Sequence, residues 1–170
     1  MAADFNTAMQ MENELWDFAL DFYQKPGVEE ACLYLQDHYG LSINRMIFSC
    51  WCGLQGIETY DELYTGSAEK WQREVTHPLR VLRYKVRDNK NEYSSCYKKL
   101  REAELACEQV ELALLNESLS SFPKNSTKNS GLIEKNLRTY LKLQNLPIDK
   151  ELTHYLSKLI GVLEHHYVAK

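Results

Sequence analysis

Two glutamate–histidine pairs in this chain have a spacing that suits metal ligation. Glu74 and His77, like Glu151 and His154, read Glu-x-x-His, which places both side chains of a pair on one face of a helix. Helical bundles that bind two iron or manganese ions use two such pairs together with one glutamate from each of two other helices. Those further glutamates are available at Glu14 and at Glu104 or Glu108. The pattern predicts a metalloenzyme as one alternative, although glutamate is common enough here for the spacing to arise by chance.

The positive charge of the chain is concentrated in residues 70–101. This segment holds ten basic and three acidic side chains, whereas residues 1–69 hold twelve acidic and two basic ones. Several of its cations recur every three or four residues, so one face of a continuous helix would present them together. These cations are Arg73, Arg80, Arg83, Arg87 and Lys90, and His77 continues the spacing between the first two. Such a face can bind phosphates or carboxylates through charge-assisted hydrogen bonds. The alternative is that it packs beside, or balances, the acidic N-terminal third.

The cysteines and an acidic pair near the N-terminus give weaker indications of chemistry. Cys50 and Cys52 project in directions about 200° apart on a helix, so both thiolates cannot hold one ion, and we expect small thiols of the core. Asp17 and Asp21 have the Asp-x-x-x-Asp spacing of magnesium–diphosphate sites. Because the chain is short for the large cavity that such sites need, a solvated helix face is expected instead.

The least polar stretch of the chain is Leu41 to Gly56, in which Arg45 is the only charged residue. Its apolar residues recur at the i, i+3, i+4, i+7 spacing of an α-helix, and further apolar residues lie off that stripe. The stretch is too short to cross a bilayer, which takes about 20 apolar residues. The pattern therefore predicts a central helix, residues 42–55, that is buried on most sides and has Ser42 as its N-cap.

Amphipathic stripes predict further helices on both sides of this one. The first should run from about Ala8 to Gln24 behind a capping box at Thr7 and Gln10, and the second should end at Gly40. His77-Pro78 is expected to break or kink the basic helix. From Tyr93 onward, the apolar residues have the 3-4-3-4-3-4 spacing of a coiled-coil seam. The seam consists of Tyr93, Cys96, Leu100, Ala103, Cys107, Val110 and Leu114. Another helix of this chain is the favoured cover for it, and a second subunit is the alternative.

The N-terminal part of the chain carries a motif, WDFxLxFYxxPGVxxACLxLQDxxGLxxN, that resembles a bacterial family of uncharacterised, all-helical proteins, a domain of unknown function. The residues that carry it include Trp16, Pro26-Gly27-Val28, Leu35-Gln36-Asp37 and Gly40-Leu41. The resemblance covers about residues 10–118. The family pattern commonly has aliphatic residues where this chain has Arg45 and Cys50. The resemblance implies an all-helical fold and no catalytic residue.

Together these patterns predict an all-α protein, a bundle of about six to eight helices around the central helix at residues 42–55. We expect a main helical domain at residues 1–119 and a polar linker at residues 120–131. Two further amphipathic stripes predict a C-terminal helical hairpin at residues 132–170, packed on the main domain, with Asp149 capping its second helix.

The function expected from the sequence is that of a non-enzymatic cytoplasmic interaction or adaptor protein without a cofactor. Its basic face should bind an acidic protein or a nucleic acid. The alternative is the di-iron type of metalloenzyme that uses Glu74, His77, Glu151 and His154. The N-terminus shows no export-signal pattern, and the five cysteines fit reduced thiols in a cytoplasm. We expect no membrane span, and either a monomer or a homodimer through residues 93–114.

Overall fold

The computed structural model describes residues 9–89, 91–122 and 130–168, and the regular structure of these residues is entirely helical. In chain order the helices are α1 (Glu14–Tyr23), α2 (Val28–Tyr39), α3 (Ile43–Leu54), α4 (Asp61–Tyr64), α5 (Ser67–Trp71), α6 (His77–Arg87), α7 (Ser94–Ser118), α8 (Ser130–Leu143) and α9 (Lys150–Leu163). Seven of the helices in this described part have ten residues or more. The predicted all-α bundle is therefore confirmed. Within the same residues, no helix is both long and apolar enough to cross a membrane.

Helix α3 lies at the centre of the bundle, as its apolar sequence predicts. Most of its residues are buried, and it packs against α1, α2, α7 and α8. The predicted cap is also present, since Ser42 Oγ accepts a hydrogen bond from the Arg45 amide at 3.4 Å. Burial of a helix on several sides removes a large apolar area from water, and this is the main force that assembles the bundle.

The ends of the first two helices follow local capping rules. Helix α2 ends at Gly40, which has φ 66 and so adopts the left-handed conformation that favours glycine. Helix α1 begins at Glu14 and not near Ala8, because Asn13 acts as the N-cap and its side chain accepts a hydrogen bond from the Trp16 amide at 3.0 Å. The expected cap at Thr7 lies outside the described residues.

The predicted break at His77-Pro78 takes the form of a local widening of the helix. Helices α5 and α6 are joined by a π-helical turn, Gln72–Thr76, and the chain stays helical through Pro78. Proline has no amide hydrogen and its ring crowds the carbonyl four residues earlier, so a wider turn directly before it relieves both problems. The basic residues on either side of Pro78 therefore belong to one long helical segment.

Helices α6 and α7 form an antiparallel hairpin. Residues earlier in α6 contact residues later in α7. Arg83 contacts Tyr97, whereas Arg80 contacts Glu108. The turn between the two helices is closed by Asn89, whose carbonyl oxygen accepts hydrogen bonds from the amides of Glu92 and Tyr93. This turn directs α6 back along α7.

The C-terminal helices complete the core. Helix α8 packs directly on α3, and at Gly53 the two backbones approach so closely that a methyl group there would lie 2.7 Å from the Ile133 Cα atom. The fully buried Asn136 ties α8 to the end of α3, because its Nδ2 donates to the Ile57 carbonyl at 2.9 Å and its Oδ1 accepts from the Thr59 amide at 2.9 Å. Asp149 caps α9, as predicted, by accepting a hydrogen bond from the Leu152 amide.

The close approach at Gly53 leads to a stability prediction. Gly53→Ala should lower the free energy of unfolding by about 2 kcal/mol or more, because the new methyl group meets backbone atoms that cannot move separately from α8. Gly161→Ala is the matched control, since this helical glycine has open space around it and alanine should gain about 0.5–1 kcal/mol. Urea unfolding of both variants measures the difference. Equal stabilities for the two variants would contradict the packing described for α3 and α8.

Candidate functional site

The longest helix carries three carboxyl groups toward the interior. Glu104, Glu108 and Glu111 of α7 are spaced four and three residues apart, so they share one face of the helix. Glu104 and Glu111 are buried, and Glu108 is half-buried. A buried carboxylate is costly unless it is paired and hydrogen-bonded. The neighbouring helices must therefore supply donors to these three residues, which we call the carboxylate row.

Two arginines of α6 pair with the outer part of the carboxylate row. Arg80 donates from Nε to Glu104 Oε1 at 2.6 Å and from Nη2 to Glu108 Oε1 at 2.7 Å. Arg83 donates from Nε to the other oxygen of Glu104 and from Nη1 to the Tyr97 hydroxyl at 3.2 Å. Burial raises the pKa of Glu104, but hydrogen bonds from Arg83 and Arg80 outweigh it, so the pKa lies below its ordinary value. Pairing with Glu104 likewise outweighs burial and raises the pKa of both arginines. Glu104 and both arginines are therefore charged at neutral pH, whereas burial raises the pKa of Glu108 above its ordinary value.

The inner end of the carboxylate row lies against the first turn of α3. Asn44 Nδ2 donates to Glu111 Oε2 at 3.1 Å, and Arg45 Nε lies 3.9 Å from Glu111 Oε1. That distance is too long for a hydrogen bond. Arg45 Nε, Arg45 Nη2 and Glu111 Oε1 are buried and have no hydrogen-bond partner among the described residues. Burial raises the pKa of Glu111 to about 7, despite the opposing charge of Arg45 and the Asn44 hydrogen bond. Glu111 therefore titrates near neutral pH.

A groove runs beside the carboxylate row, between the α6–α7 hairpin and helices α1, α2 and α3. Its volume is about 640 Å³, which lies in the range of ligand pockets. Buried apolar residues such as Ile47 and Leu112 form part of its lining. Three leucines from three different helices also line the groove and stay open to solvent: Leu20 (42 % exposed), Leu33 (41 %) and Leu105 (51 %). Such a groove can cover apolar groups of a second molecule.

Polar groups stand among these apolar side chains. Gln36 Nε2 is buried in the lining and has no hydrogen-bond partner in the described part of the chain. Burial raises the pKa of the Tyr23 hydroxyl, which therefore stays protonated and able to donate. On the α7 wall, Arg101 is exposed and forms no ion pair within the described ranges, and Lys98 lies 3.9 Å from Glu102. These groups can orient an occupant of the groove.

The predicted basic face is divided between the interior and the surface. Arg80 and Arg83 are largely buried and paired with the carboxylate row, so they do not face outward as their spacing suggests. The reason is that α6 folds back on α7, whose buried carboxylates need cationic partners. Arg73, in the π-helical turn before α6, and Arg87, at the end of α6, are exposed. Lys90 lies outside the described residues.

The two Glu-x-x-His pairs lie apart from the carboxylate row. Glu74, His77, Glu151 and His154 are all exposed. Glu74 pairs with Arg73 at 3.3 Å, and Glu151 accepts a hydrogen bond from the hydroxyl of Tyr34 on α2 at 2.7 Å. Among the described residues, no group of three or more His, Cys, Asp or Glu side chains is placed to hold a metal ion. The structure therefore does not bring the two pairs together into the metal centre that the alternative requires.

The sequence patterns do not predict that α3 pairs with the carboxylate row. Two signals point toward it. Arg45 is the single charge in an otherwise apolar helix, and a lone buried charge needs a partner. The glutamates of α7 recur at helical spacing on the face that would otherwise be apolar. Neither signal identifies the other, because the contacting residues Asn44 and Glu111 are 67 positions apart in the sequence.

The fold is an all-helical domain with a groove between a helical hairpin and the N-terminal helices. The chain belongs to the family described as "Protein of unknown function (DUF2390)", whose family model matches residues 14–115. The matched segment runs from α1 through most of α7 and ends before α8 and α9. No curated protein and no solved structure shows significant similarity to the chain.

The buried position of Glu111 predicts a pH dependence of stability. A carboxyl group whose pKa is raised from 4.5 to about 7 binds its proton more tightly in the folded chain, so its contribution to stability is largest below about pH 4.5 and is lost as the pH rises to about 7. The free energy of unfolding should fall by about 2–3 kcal/mol between pH 5 and pH 8 from this group. Glu111→Gln should remove most of that fall, because glutamine does not titrate.

Urea unfolding of the wild type and of Glu111→Gln at pH 5, 6, 7 and 8 measures this effect. The comparison isolates Glu111 from the other groups that face it, which are Arg45 on α3, Glu108 on α7, Arg80 on α6 and Tyr140 on α8. Parallel pH profiles for the two proteins would show that Glu111 does not titrate in this range.

Proposed function

We propose that this protein is a non-enzymatic interaction or adaptor protein, and that its partner is an acidic protein whose amphipathic helix lies in the groove. The observation that carries the proposal is the convergence of Leu20, Leu33 and Leu105 on one groove beside the cations of α7. Amphipathic helices bind such grooves through apolar side chains at helical spacing. In this arrangement, acidic residues of the partner meet Arg101 and Lys98 on the α7 wall.

Apolar contact supplies most of the binding energy in this proposal. Covering the exposed part of one leucine contributes on the order of 1 kcal/mol, so the three together contribute about 3 kcal/mol. A single half-exposed leucine is ordinary on a protein surface, whereas three leucines from separate helices around one cavity mark an interaction site. The unpartnered Gln36 amide and the Tyr23 hydroxyl can then fix the orientation of the bound helix.

The charge of the hairpin favours an acidic partner. Exposed cations along α5, α6 and α7 outnumber the exposed acids of the same described segment. The cations are Lys70, Arg73, Lys85, Arg87, Lys98, Lys99 and Arg101, and the acids are Glu74, Asp88, Glu92, Glu102 and Glu117. Surface pairs such as Arg73 with Glu74 contribute little and can exchange for a partner's carboxylate. In the proposal Arg73 and Arg87 therefore remain contact residues, while Arg80 and Arg83 hold the hairpin in position.

An acidic protein fits the groove better than a nucleic acid does. The leucines of the lining can cover the apolar face of a protein helix, whereas they offer nothing to a phosphate backbone. The chain as a whole has a net charge of −4, which also disfavours a general nucleic-acid binder. Nucleic acid is therefore the contrary outcome of the experiment below.

We also propose that the protein acts in a bacterial cytoplasm. Its five cysteines are free thiols, and Cys96 is exposed, which suits a reducing compartment. The motif shared with an all-helical bacterial family supports the same location. Thiol labelling of the protein in intact source cells and after fractionation would test this.

The proposed binding mode predicts the effect of groove substitutions. Leu33→Asp with Leu105→Asp should weaken partner binding more than tenfold, because both apolar contacts are lost and two carboxylates are placed against an acidic ligand. Ile148→Asp is the matched control, since Ile148 is 52 % exposed and lies outside the groove lining. Arg101→Glu should also weaken binding, whereas Lys142→Glu, an exposed site on α8, should not.

The measurement has two stages. Chemical crosslinking and mass spectrometry in the source cells identify the proteins that the wild type captures. Calorimetry with the purified partner then gives the change in Kd. A partner that binds the groove variants as tightly as the wild type would overturn the proposal, and so would duplex DNA binding that Arg73→Glu with Arg87→Glu abolishes.

A further inference from the structure

The apolar seam of α7 is open to solvent along its first half. Tyr93, Cys96 and Ala103 are exposed, and Leu100 is half-buried. The expectation that another helix of the same chain covers the seam is therefore wrong for this half. Helix α6 packs instead on the neighbouring face of α7, where Arg80 and Arg83 meet the carboxylate row. An apolar seam at heptad spacing that its own chain leaves uncovered is a surface for a second helix.

Helix α6 extends this open surface. Leu79, Leu82 and Val86 are spaced three and four residues apart, with Leu82 exposed and the other two half-buried. These three residues lie on the flank of α6 next to Arg83. Because α6 and α7 are antiparallel right-handed helices, this flank of α6 is on the same side of the hairpin as Cys96 and Ala103 of α7. The groove is on the opposite side, where Leu105 and Arg101 project. The hairpin thus has two separate apolar sides.

We propose that a second copy of this chain covers the seam, so that two hairpins pack about a two-fold axis beside Cys96. The order of residues around Cys96 is self-complementary for antiparallel helices. Such an axis brings Tyr93 within one residue of the position opposite Leu100 of the second copy, so that apolar side chains are neighbours. It also brings Glu92, in the turn before α7, within one residue of the position opposite Lys99 of the second copy, so that acid and base are neighbours. All of these residues line one shallow depression of about 590 Å³. Charge complementarity and spacing therefore point to the same occupant.

This dimer leaves the groove open, because the two sites are on opposite sides of the hairpin. It therefore does not depend on the proposed partner, and either proposal can fail without the other. Each dimer would present two grooves, and a bivalent partner would gain affinity from the second contact.

Sedimentation equilibrium of the full chain at 1–100 µM tests the dimer. These concentrations are chosen because weak interfaces have dissociation constants that are roughly micromolar. The wild type should reach about twice the chain mass of 19.9 kDa. Leu82→Glu and Ala103→Glu should each shift the protein to monomer. Both side chains are exposed on the seam side, so each substitution buries a charge only when the dimer forms. Leu105→Glu is the matched control, since it changes an exposed leucine of the same helix on the groove side.

Oxidation with copper phenanthroline locates the axis. Copper(II) and oxygen accept the two electrons released when two Cys96 thiols lose their protons and join, so the wild type should form a covalent dimer that Cys96→Ser abolishes. Far-ultraviolet circular dichroism checks that the variants remain folded. A wild type that stays monomeric up to 100 µM would overturn the proposal. A dimer that survives Leu82→Glu and Ala103→Glu, or that forms no Cys96 crosslink, would overturn it as well.

Discussion

The structure depends on the need to pair the carboxyl groups that α7 carries inward. Glu104 and Glu111 are buried, and a carboxylate in that position is tolerable only beside a cation or hydrogen-bond donors. Two regions of the chain meet this need. Arg80 and Arg83 bring α6 against the outer part of α7, and Asn44 with Arg45 brings the start of α3 against its inner part. Because a rotation of α6 would leave a buried charge without its partner, the pairs determine which face of α6 meets α7.

That orientation creates both surfaces of the hairpin. With α6 held against the carboxylate row, Leu105 and Arg101 project on one side of α7, where α1 and α2 form the far wall of the groove. Cys96 and Ala103 project on the other side and remain uncovered. If the arginines had faced solvent, the apolar flank of α6 would have been free to cover the seam. Because the arginines of α6 pair with the carboxylate row, the apolar flank of α6 does not cover the seam of α7. Two apolar surfaces therefore stay available to other molecules.

Much of the fold follows from local patterns, and the site does not. The apolar stripe of α3, its Ser42 cap and the glycine end of α2 are properties of a few neighbouring residues, so their sequence predicts them. Helical spacing also indicates that Arg80 and Arg83 share a face. It cannot indicate where that face points, because the direction depends on Glu104, which lies more than 20 residues away in the sequence. The spacing of apolar residues also cannot predict that α8 packs at Gly53. That contact depends on the missing side chain of Gly53 in α3 and on the backbone of α8.

The two ends of the carboxylate row differ in how firmly their charges are held. Arg80 and Arg83 keep Glu104 ionised with direct hydrogen bonds, whereas Arg45 approaches Glu111 without one and the Glu111 pKa rises to about 7. Glu111 is therefore neutral in part of the molecules at neutral pH, so apolar packing can replace the pair of Glu111 with Arg45 at little cost. The outer pairs have no such substitute, because each guanidinium serves a carboxylate that stays charged, and these pairs are the ones that align the hairpin.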